Sequence, residues 1–423
     1  MKDGSARSLL TMCLLVSWFC APASGQSTEA VLYSFGAYPT DGIFPQGGLL
    51  FDSAGNIYGT TNGGGEYCQS EGGCGTIYEL SPAADGEWTE TILYNFCSAG
   101  YPTCADGSVP NAGLIMDGQG NLYGTTHSGG TELYGVVFRL SPPTNGNAQW
   151  AYAVLWRFAR VDGANPGYGK LNMDSSGSIY GTTQSGGKHG FGTVFQLSPR
   201  SDGTYSLSTL HSFSGRDGAY PAYGVAIDEA GNLYGTTVNG GLYNANCHPG
   251  CGVVYEVTSL NGTWQYTVLY QFNGVDGQNP FSPISLDPTG ELYGTFEVGG
   301  GGSCFFGTCG GVFKLVPESG SAGNRGKKYT FYFDDNQGGG NPQSGVVVGP
   351  GNTLYGSLGF GGNSVYELNY ENETVLYTFC SLPNCADGSI PALGDIVARQ
   401  GSVYGSTSEG GLYNLGVVYS LTR

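Results

Sequence analysis

The sequence GNLYGTT at residues 120–126 is one of seven similar copies along this chain of 423 residues. The other six copies are GNIYGTT at 55–61, GSIYGTT at 177–183, GNLYGTT at 231–237, GELYGTF at 290–296, NTLYGSL at 352–358 and GSVYGST at 401–407. The tyrosines of successive copies are 49 to 65 residues apart. A repeat of this length is too long for one coil of a parallel β-helix, and it favours one blade of a β-propeller.

Each repeat contains four short apolar segments separated by turns. In the second repeat they are GLIMD ending at Asp117, NLYGTT ending at Thr126, GVVFRL ending at Leu140 and WAYAVLWRF ending at Phe158. Alternating apolar residues bounded by Gly, Pro, Asn and Asp predict strands joined by turns. We name these strands A to D, from the axis of the ring to its rim. Seven such units predict an all-β, seven-bladed β-propeller with four antiparallel strands in each blade.

The two ends of the repeat region predict how the ring closes. AVLYSF at 30–35 has the pattern of a strand D, and GVVYSL at 416–421 has the pattern of a strand C. The N-terminal strand is therefore expected to join the last blade, which removes an open edge that invites aggregation. A glycine follows every repeat tyrosine inside strand B, and we expect it to allow close backbone approach near the crowded axis.

Composition excludes several classes of protein. The chain has 76 glycines, 13% aromatic residues and 11% charged residues. The aromatic content argues against a disordered chain, and the shortage of charged helix formers argues against a coiled coil. The net charge of −18 would repel nucleic acids and anionic membranes, so neither is an expected partner.

Residues 1–25 have the features of a secretory signal peptide. Lys2 and Arg7 precede an apolar run at 9–19 that is too short to span a bilayer, and small residues at 23–25 offer a cleavage site. No other stretch is long and apolar enough to form a transmembrane segment. We therefore expect residues 26–423 to form a single propeller domain that is monomeric and secreted, either outside the cell or into the periplasm.

The remaining ten cysteines fall into five close pairs, which predict five disulfide bonds in an oxidising compartment. Zinc binding is the competing interpretation, but it usually needs two-residue spacings and histidine partners, and only His248 lies among these cysteines. Antiparallel strands place the B–C and D–A loops on one face, which we call the upper face, and all five pairs lie in these loops. The pairs are Cys68/Cys74, Cys97/Cys104, Cys247/Cys251, Cys304/Cys309 and Cys380/Cys385.

The upper face is the expected working surface, because binding residues favour stiffened loops on a rigid scaffold. Its D–A loops repeat the phrase Asp-Gly-x-x-Pro, which in the sixth repeat is degenerate, from Asp334-Asp335 to Pro342. A ring of carboxylates around an axial channel would suit Ca²⁺ or sugar hydroxyls, but Asp before Gly is more simply interpreted as a turn signal. The candidate site residues on this face are Asp41, Asp106, Asp162, Asp217, Asp276, Asp387, His127, His189 and His248.

No catalytic set accompanies these residues. The histidines show neither a nucleophile–base spacing nor a metal-ligand cluster, and His211 takes the place of a strand D tyrosine. No motif supports Ca²⁺, so we predict no metal and no cofactor. The leading hypothesis is non-catalytic binding of a glycan or protein partner through the pinned loops. The alternatives are a carbohydrate- or lactone-active hydrolase or lyase that uses channel carboxylates, and a structural protein of the cell envelope.

The combined phrases GNLYGTT, SGG, G-x-V-F-x-L, L-Y-x-F and D-G-x-x-P resemble the GloVer (Gloeo/Verruco) tandem-repeat family of exported bacterial proteins. The resemblance covers residues from about 29 to 423. It implies a propeller fold and export from the cytoplasm, and it transfers no catalytic residues.

Overall fold

The computed structural model of the chain is a seven-bladed β-propeller, as the repeats predict. It describes residues 27–36, 40–68, 72–144, 149–243, 247–299, 309–317, 326–333, 340–342, 344–359, 361–369, 372–391 and 394–423. The proposed signal peptide and the pair Asp334-Asp335 lie outside these ranges. No helix in the described part is long and apolar enough to cross a membrane.

Seven antiparallel sheets form the blades, and two 3-10 turns occur at Pro350–Asn352 and Pro383–Cys385. Blade 1 contains β2 (Gly42–Pro45), β3 (Leu50–Phe51), β4 (Ile57–Gly64), β5 (Thr76–Pro82) and β6 (Trp88–Asn95); blade 2 contains β7 (Ile115–Met116), β8 (Leu122–Thr126), β9 (Val136–Ser141) and β10 (Ala151–Arg157); and blade 3 contains β11 (Ala164–Pro166), β12 (Asn172–Met173), β13 (Ile179–Ser185), β14 (Thr193–Pro199) and β15 (Tyr205–Ser212). Blade 4 contains β16 (Ala226–Ile227), β17 (Leu233–Thr237), β18 (Val253–Leu260) and β19 (Thr263–Gln271); blade 5 contains β20 (Ser285–Leu286), β21 (Leu292–Phe296), β22 (Gly311–Pro317) and β23 (Gly326–Tyr332); and blade 6 contains β24 (Val347–Val348), β25 (Leu354–Leu358), β26 (Ser364–Asn369) and β27 (Asn372–Thr378). Blade 7 contains the N-terminal strand β1 (Thr28–Ser34) together with β28 (Ser389–Pro391), β29 (Val397–Arg399), β30 (Ser402–Glu409) and β31 (Val417–Thr422).

The N-terminal strand closes the ring, as predicted. Strand β1 pairs antiparallel with β31, with Ala30 opposite Ser420, and becomes the outer strand of blade 7. At its end, Phe35 is fully buried against Tyr78 of blade 1, with the rings edge-on at 5.2 Å. The first strand therefore seals the junction between the last blade and the first.

Strand A is shorter than the sequence pattern suggests. In blades 1, 3 and 7 it consists of two pieces that pair with the same strand B, and in the other blades the second piece has only two residues. The first piece is reduced in blades 2, 4 and 5 to single bridges, such as Ser108 with Ser128. The interruption between the two pieces places irregular backbone around the axis.

The glycine after each repeat tyrosine makes room for a ring rather than for a neighbouring backbone. A Cβ atom built on Gly59 would lie 2.3 Å from the hydroxyl oxygen of Tyr78, and one on Gly124 would lie 2.6 Å from Cζ of Phe138. Both rings belong to strand C of the same blade and are fully buried. The close approach is thus a packing contact within one blade, which corrects the expectation from the sequence.

The repeat tyrosines fill the spaces between blades. Tyr58 packs with Leu122 and Phe138 of the next blade, and its hydroxyl donates to Asp52 in the A–B turn of its own blade at 3.3 Å. The same tyrosine–aspartate bond recurs in the next four blades. These repeated residues therefore build the scaffold between blades.

Candidate functional site on the upper face and the axial channel

The repeated aspartates of the D–A loops hold their own loops in shape. Asp106 accepts hydrogen bonds from the backbone nitrogen of Ser98 (2.9 Å), from the hydroxyl of Ser98 (2.8 Å) and from the hydroxyl of Tyr94 (2.7 Å). Corresponding backbone bonds are accepted by Asp41, Asp162, Asp217, Asp276 and Asp387. Each carboxylate is thus engaged by the loop that carries it.

Hydrogen bonding also lowers the pKa of two of these carboxyl groups, those of Asp217 and Asp387. Burial of Asp217 opposes its charge, but bonds from His211 and Ser214 outweigh this and lower the pKa of Asp217 to about 2. His211 lies 3.0 Å from Asp217 and its ring stacks on Tyr266 at 3.8 Å, so it packs in the place of the strand D tyrosine. In the part of the chain that the structure describes, the six aspartates form no cluster that could hold a metal ion.

The rest of the Asp-Gly-x-x-Pro phrase joins neighbouring blades. The residue before each repeat proline has a positive φ, as in Asn165 at 55°, and its backbone nitrogen bonds to the preceding blade, here to the oxygen of Tyr134 (2.9 Å). The proline ring then packs where Gly135 leaves no side chain, with Cδ of Pro166 2.7 Å from the position of a Cβ atom. The phrase therefore locks each blade onto the loop of the previous one.

The three candidate histidines lie in the B–C loops of three different blades. His127 is half-buried and lies 3.1 Å from the hydroxyl of Ser128, and burial lowers its pKa. His189 and His248 are exposed. His248 lies 5.3 Å from the ring of Tyr243, centroid to centroid.

Disulfide bonds pin the upper face. Four of the predicted bonds are present, namely Cys68–Cys74, Cys97–Cys104, Cys247–Cys251 and Cys380–Cys385. Cys309 is also disulfide-bonded, and Cys304 lies outside the described residues. Cys74 and Cys104 bring their sulfur atoms to 3.9 Å, so the first two bonds touch and brace two loops against each other.

The loops of the upper face also expose large apolar side chains, which we call the crown. Scattered single apolar residues are normal on a surface, but these are concentrated on one face. Only four exposed large apolar residues in the described part lie elsewhere, on the outer strands and the Leu260 hairpin. The crown consists of Tyr67, Tyr101, Leu133, Val161, Tyr220, Leu242, Tyr243, Val275, Leu382, Leu412 and Tyr413. The crown could not be predicted from the sequence, because most aromatic residues lie in strands and are expected to be buried.

A cavity of about 640 Å³ occupies the axial channel. The side chains of its wall are mainly aliphatic, several glycines contribute backbone, and the wall also contains Lys170, Asp395, Tyr168 and Tyr223. The amine of Lys170 lies 3.9 Å from a carboxylate oxygen of Asp395. Burial raises the pKa of Asp395, and the nearby Lys170 opposes this rise. None of these four residues was among the candidates from the sequence.

The model of the Gloeobacter/Verrucomicrobia repeat matches residues 19–246 and 202–419 of this chain. No curated protein matches the chain.

Several solved structures are similar at low identity. An ulvan lyase bound to a glucuronate–rhamnose sulfate is 10% identical, with a TM-score of 0.48 and coverage of 94% of this chain and 96% of that one. A sialidase of Trypanosoma rangeli is 11% identical, with a TM-score of 0.45 and coverage of 93% and 59%. A putative gluconolactonase is 14% identical, with a TM-score of 0.40 and coverage of 84% and 95%. None of these likenesses carries a functional assignment.

Proposed function

The chain belongs to the Gloeobacter/Verrucomicrobia repeat family, and we propose that it is a secreted, non-catalytic protein that binds a protein partner on its upper face. The carrying observation is the crown. Its apolar side chains are held on loops of a closed ring, so binding loses little conformational entropy. The disulfides and a signal peptide at 1–25 suit a protein that works outside the cytoplasm.

The composition of the crown favours a protein over a glycan. Tyrosine stacks on sugar rings and also anchors protein interfaces, so it supports either partner. Leucine and valine have no π face for a sugar, and they make up more than half of the crown. Leu412 and Tyr413 sit side by side in the loop of blade 7, with exposed fractions of 77% and 61%. Such a pair resembles the apolar centre of a protein interface.

The test compares two leucines on opposite faces. The full chain, Leu412→Ser, Tyr413→Ser and Leu260→Ser would each be immobilised and exposed to the extracellular and envelope proteins of the source bacterium. A protein retained by the full chain would then be purified and its Kd measured. Leu260 is 56% exposed on the C–D hairpin of blade 4, so it controls for loss of an exposed apolar residue.

We expect Leu412→Ser and Tyr413→Ser each to weaken binding roughly tenfold, which is about 1.4 kcal/mol. Leu260→Ser should leave the Kd unchanged. Equal effects of Leu412→Ser and Leu260→Ser would contradict the proposal. It would also be contradicted if no protein were retained and a glycan array showed binding that Tyr413→Ser abolished and Leu412→Ser did not.

A further inference from the structure

Two blades depart from the repeat at the axis. After the repeat proline, the buried aliphatic residue of strand A is the fourth residue in five blades, namely Leu49, Leu114, Val225, Ile284 and Val346. In blades 3 and 7 it is the fifth residue, Leu171 and Ile396. The residues that precede these two are Lys170 and Asp395. Each insertion therefore places one charged residue in the channel, and the two signs are opposite.

The two insertions meet across the axis. Blades 3 and 7 are three places apart in a ring of seven, which is the largest separation that such a ring allows, and the amine of Lys170 lies 3.9 Å from a carboxylate oxygen of Asp395. Neighbouring blades leave room for the carboxylate, because a Cβ atom on Gly345 would lie 3.0 Å from an oxygen of Asp395. Tyr168 and Tyr223 line the same cavity, with ring centroids 6.1 Å apart. The channel thus holds one asymmetric polar cluster.

A contribution to folding stability does not explain why this ion pair is present. Its separation is at the outer limit of an ion pair, and the lysine side chain is 52% exposed. Such pairs contribute little to folding, whereas withdrawing a carboxylate from water has a cost. At the position before the buried aliphatic residue, the other five blades have glycine or proline and no charged residue, namely Gly48, Gly113, Gly224, Pro283 and Gly345. A role in binding explains two inserted charges of opposite sign better than a structural role does.

The chemistry of the wall defines the ligand. Two other polar side chains of the cavity, Asn172 and Ser285, bond to backbone oxygens of the next blade. Among the described residues that line the cavity, Lys170 and Asp395 alone are charged, and most other side chains there are aliphatic, as at Ile115, Leu286 and Val347. A simple carboxylate would be attracted by Lys170 and repelled by Asp395, and a simple amine would meet the reverse. A molecule that carries both charges on adjacent atoms satisfies both residues.

We propose that the axial channel binds a small zwitterion with an apolar side chain, of the class of the aliphatic α-amino acids. The ligand carboxylate pairs with Lys170, the ligand ammonium pairs with Asp395, and the side chain lies against the aliphatic wall. The cavity volume is ample for one such molecule. This site is separate from the crown, so either proposal can fail without the other.

The test uses three probes with the same aliphatic chain that differ in the charged groups they carry. Calorimetric titration of the full chain would compare L-leucine with 4-methylpentanoate, which lacks the ammonium group, and with 3-methylbutylamine, which lacks the carboxylate. We expect leucine to bind at least roughly tenfold more tightly than either analogue. Equal affinities of the three probes, or no binding of leucine at millimolar concentration, would overturn the proposal. This comparison needs no variant, so it does not depend on how a substitution folds.

Two variants assign the charges. Lys170→Met should weaken leucine binding roughly tenfold and remove the preference for leucine over the amine, because the partner of the carboxylate is lost. Asp395→Asn should also weaken leucine binding roughly tenfold, and it should remove the preference for leucine over 4-methylpentanoate, because the partner of the ammonium group is lost. Lys188→Met changes an exposed lysine of the same blade and should leave leucine binding unchanged. If Lys170→Met bound leucine as Lys188→Met does, the assignment of the site to the pair would be wrong.

Discussion

Glu90 lies at the seam where the ring closes, and its replacement by glutamine should stabilise the protein increasingly as pH rises. It is on β6 of blade 1 and accepts a hydrogen bond from the hydroxyl of Tyr33 on the closing strand, at 2.9 Å. Burial, reinforced by the charge of Asp41, raises the pKa of Glu90 to about 8. The pKa of Glu29, which lies with Tyr33 on the closing strand, is also raised, to about 7, by burial and by the charge of Asp387.

The sign and size of the effect follow from the two states of the chain. Glu90 keeps its proton in the folded protein up to about pH 8, whereas in the unfolded chain it ionises above the ordinary value of 4.5. The cost to folding is therefore absent below 4.5, grows with pH and is complete above 8. At about 1.4 kcal/mol per pH unit, this cost is roughly 2 kcal/mol at pH 6 and roughly 5 kcal/mol at pH 9. Glutamine is neutral throughout and still accepts the bond from Tyr33, so it avoids the cost.

The free energy of unfolding in urea, measured for the unsubstituted protein and for Glu90→Gln near pH 6 and near pH 9, tests this cost directly. The gain in the free energy of unfolding should be larger at the higher pH. Glu87→Gln removes an exposed carboxylate close by on the same chain segment and should change stability little at either pH. A gain that is equal at both pH values, or a loss at pH 9, would refute the reasoning.

Three further predictions concern the loops and the packing that hold the upper face. Val109→Asn should stabilise the fold by about 1 kcal/mol, because Val109 has a φ of 60° that asparagine tolerates better than valine. Asn165→Val should destabilise the fold by about 2 kcal/mol, because Asn165 has a φ of 55° and valine also loses the side-chain hydrogen bonds of asparagine. Urea unfolding should show these opposite signs, and neutral results for both variants would contradict the reasoning. Replacing Cys247 and Cys251 together by serine should lower stability by about 2 kcal/mol at most and speed proteolysis between residues 238 and 252, and unchanged cleavage there would contradict the pinning role. Phe35→Ala should lose about 3 to 5 kcal/mol, comparable to Phe158→Ala at the same place in a continuous blade boundary, and a near-neutral Phe35→Ala would show that the seam is not packed as described.

The sequence predicted the parts of the fold that repeat. Seven copies of one phrase set the number of blades. The repeat region begins with a strand D pattern and ends with a strand C pattern, which predicted that β1 would complete blade 7. Close cysteine pairs predicted the disulfides, because a separation of four to seven residues leaves few other partners. Periodicity and spacing carry this information directly, since each copy repeats the same physical solution.

The candidate site was harder to predict, because it depends on departures from the repeat. Asp106 and its counterparts attract attention by recurring, yet recurrence is what a scaffold residue shows, and their hydrogen bonds follow that pattern. Lys170 and Asp395 occur once each, and only the extra residue between the proline and the buried aliphatic residue marks them. Their meeting across the axis cannot be read from one repeat, because it joins blades 3 and 7. The crown depends on exposure, which apolar letters in a loop do not reveal.

The ring is closed by the first strand, and the placement of the loops on the upper face depends on this closure. The descriptions of the crown and of the axial channel depend on it as well. The direct test introduces a specific protease site at residues 37–39, between β1 and β2, and cuts the purified chain there. Native mass spectrometry should then find the segment before the cut still bound to the rest, and urea should release it, because only strand pairing and packing hold it. Release of that segment on cleavage without denaturant, with the remainder still folded, would contradict the closed ring.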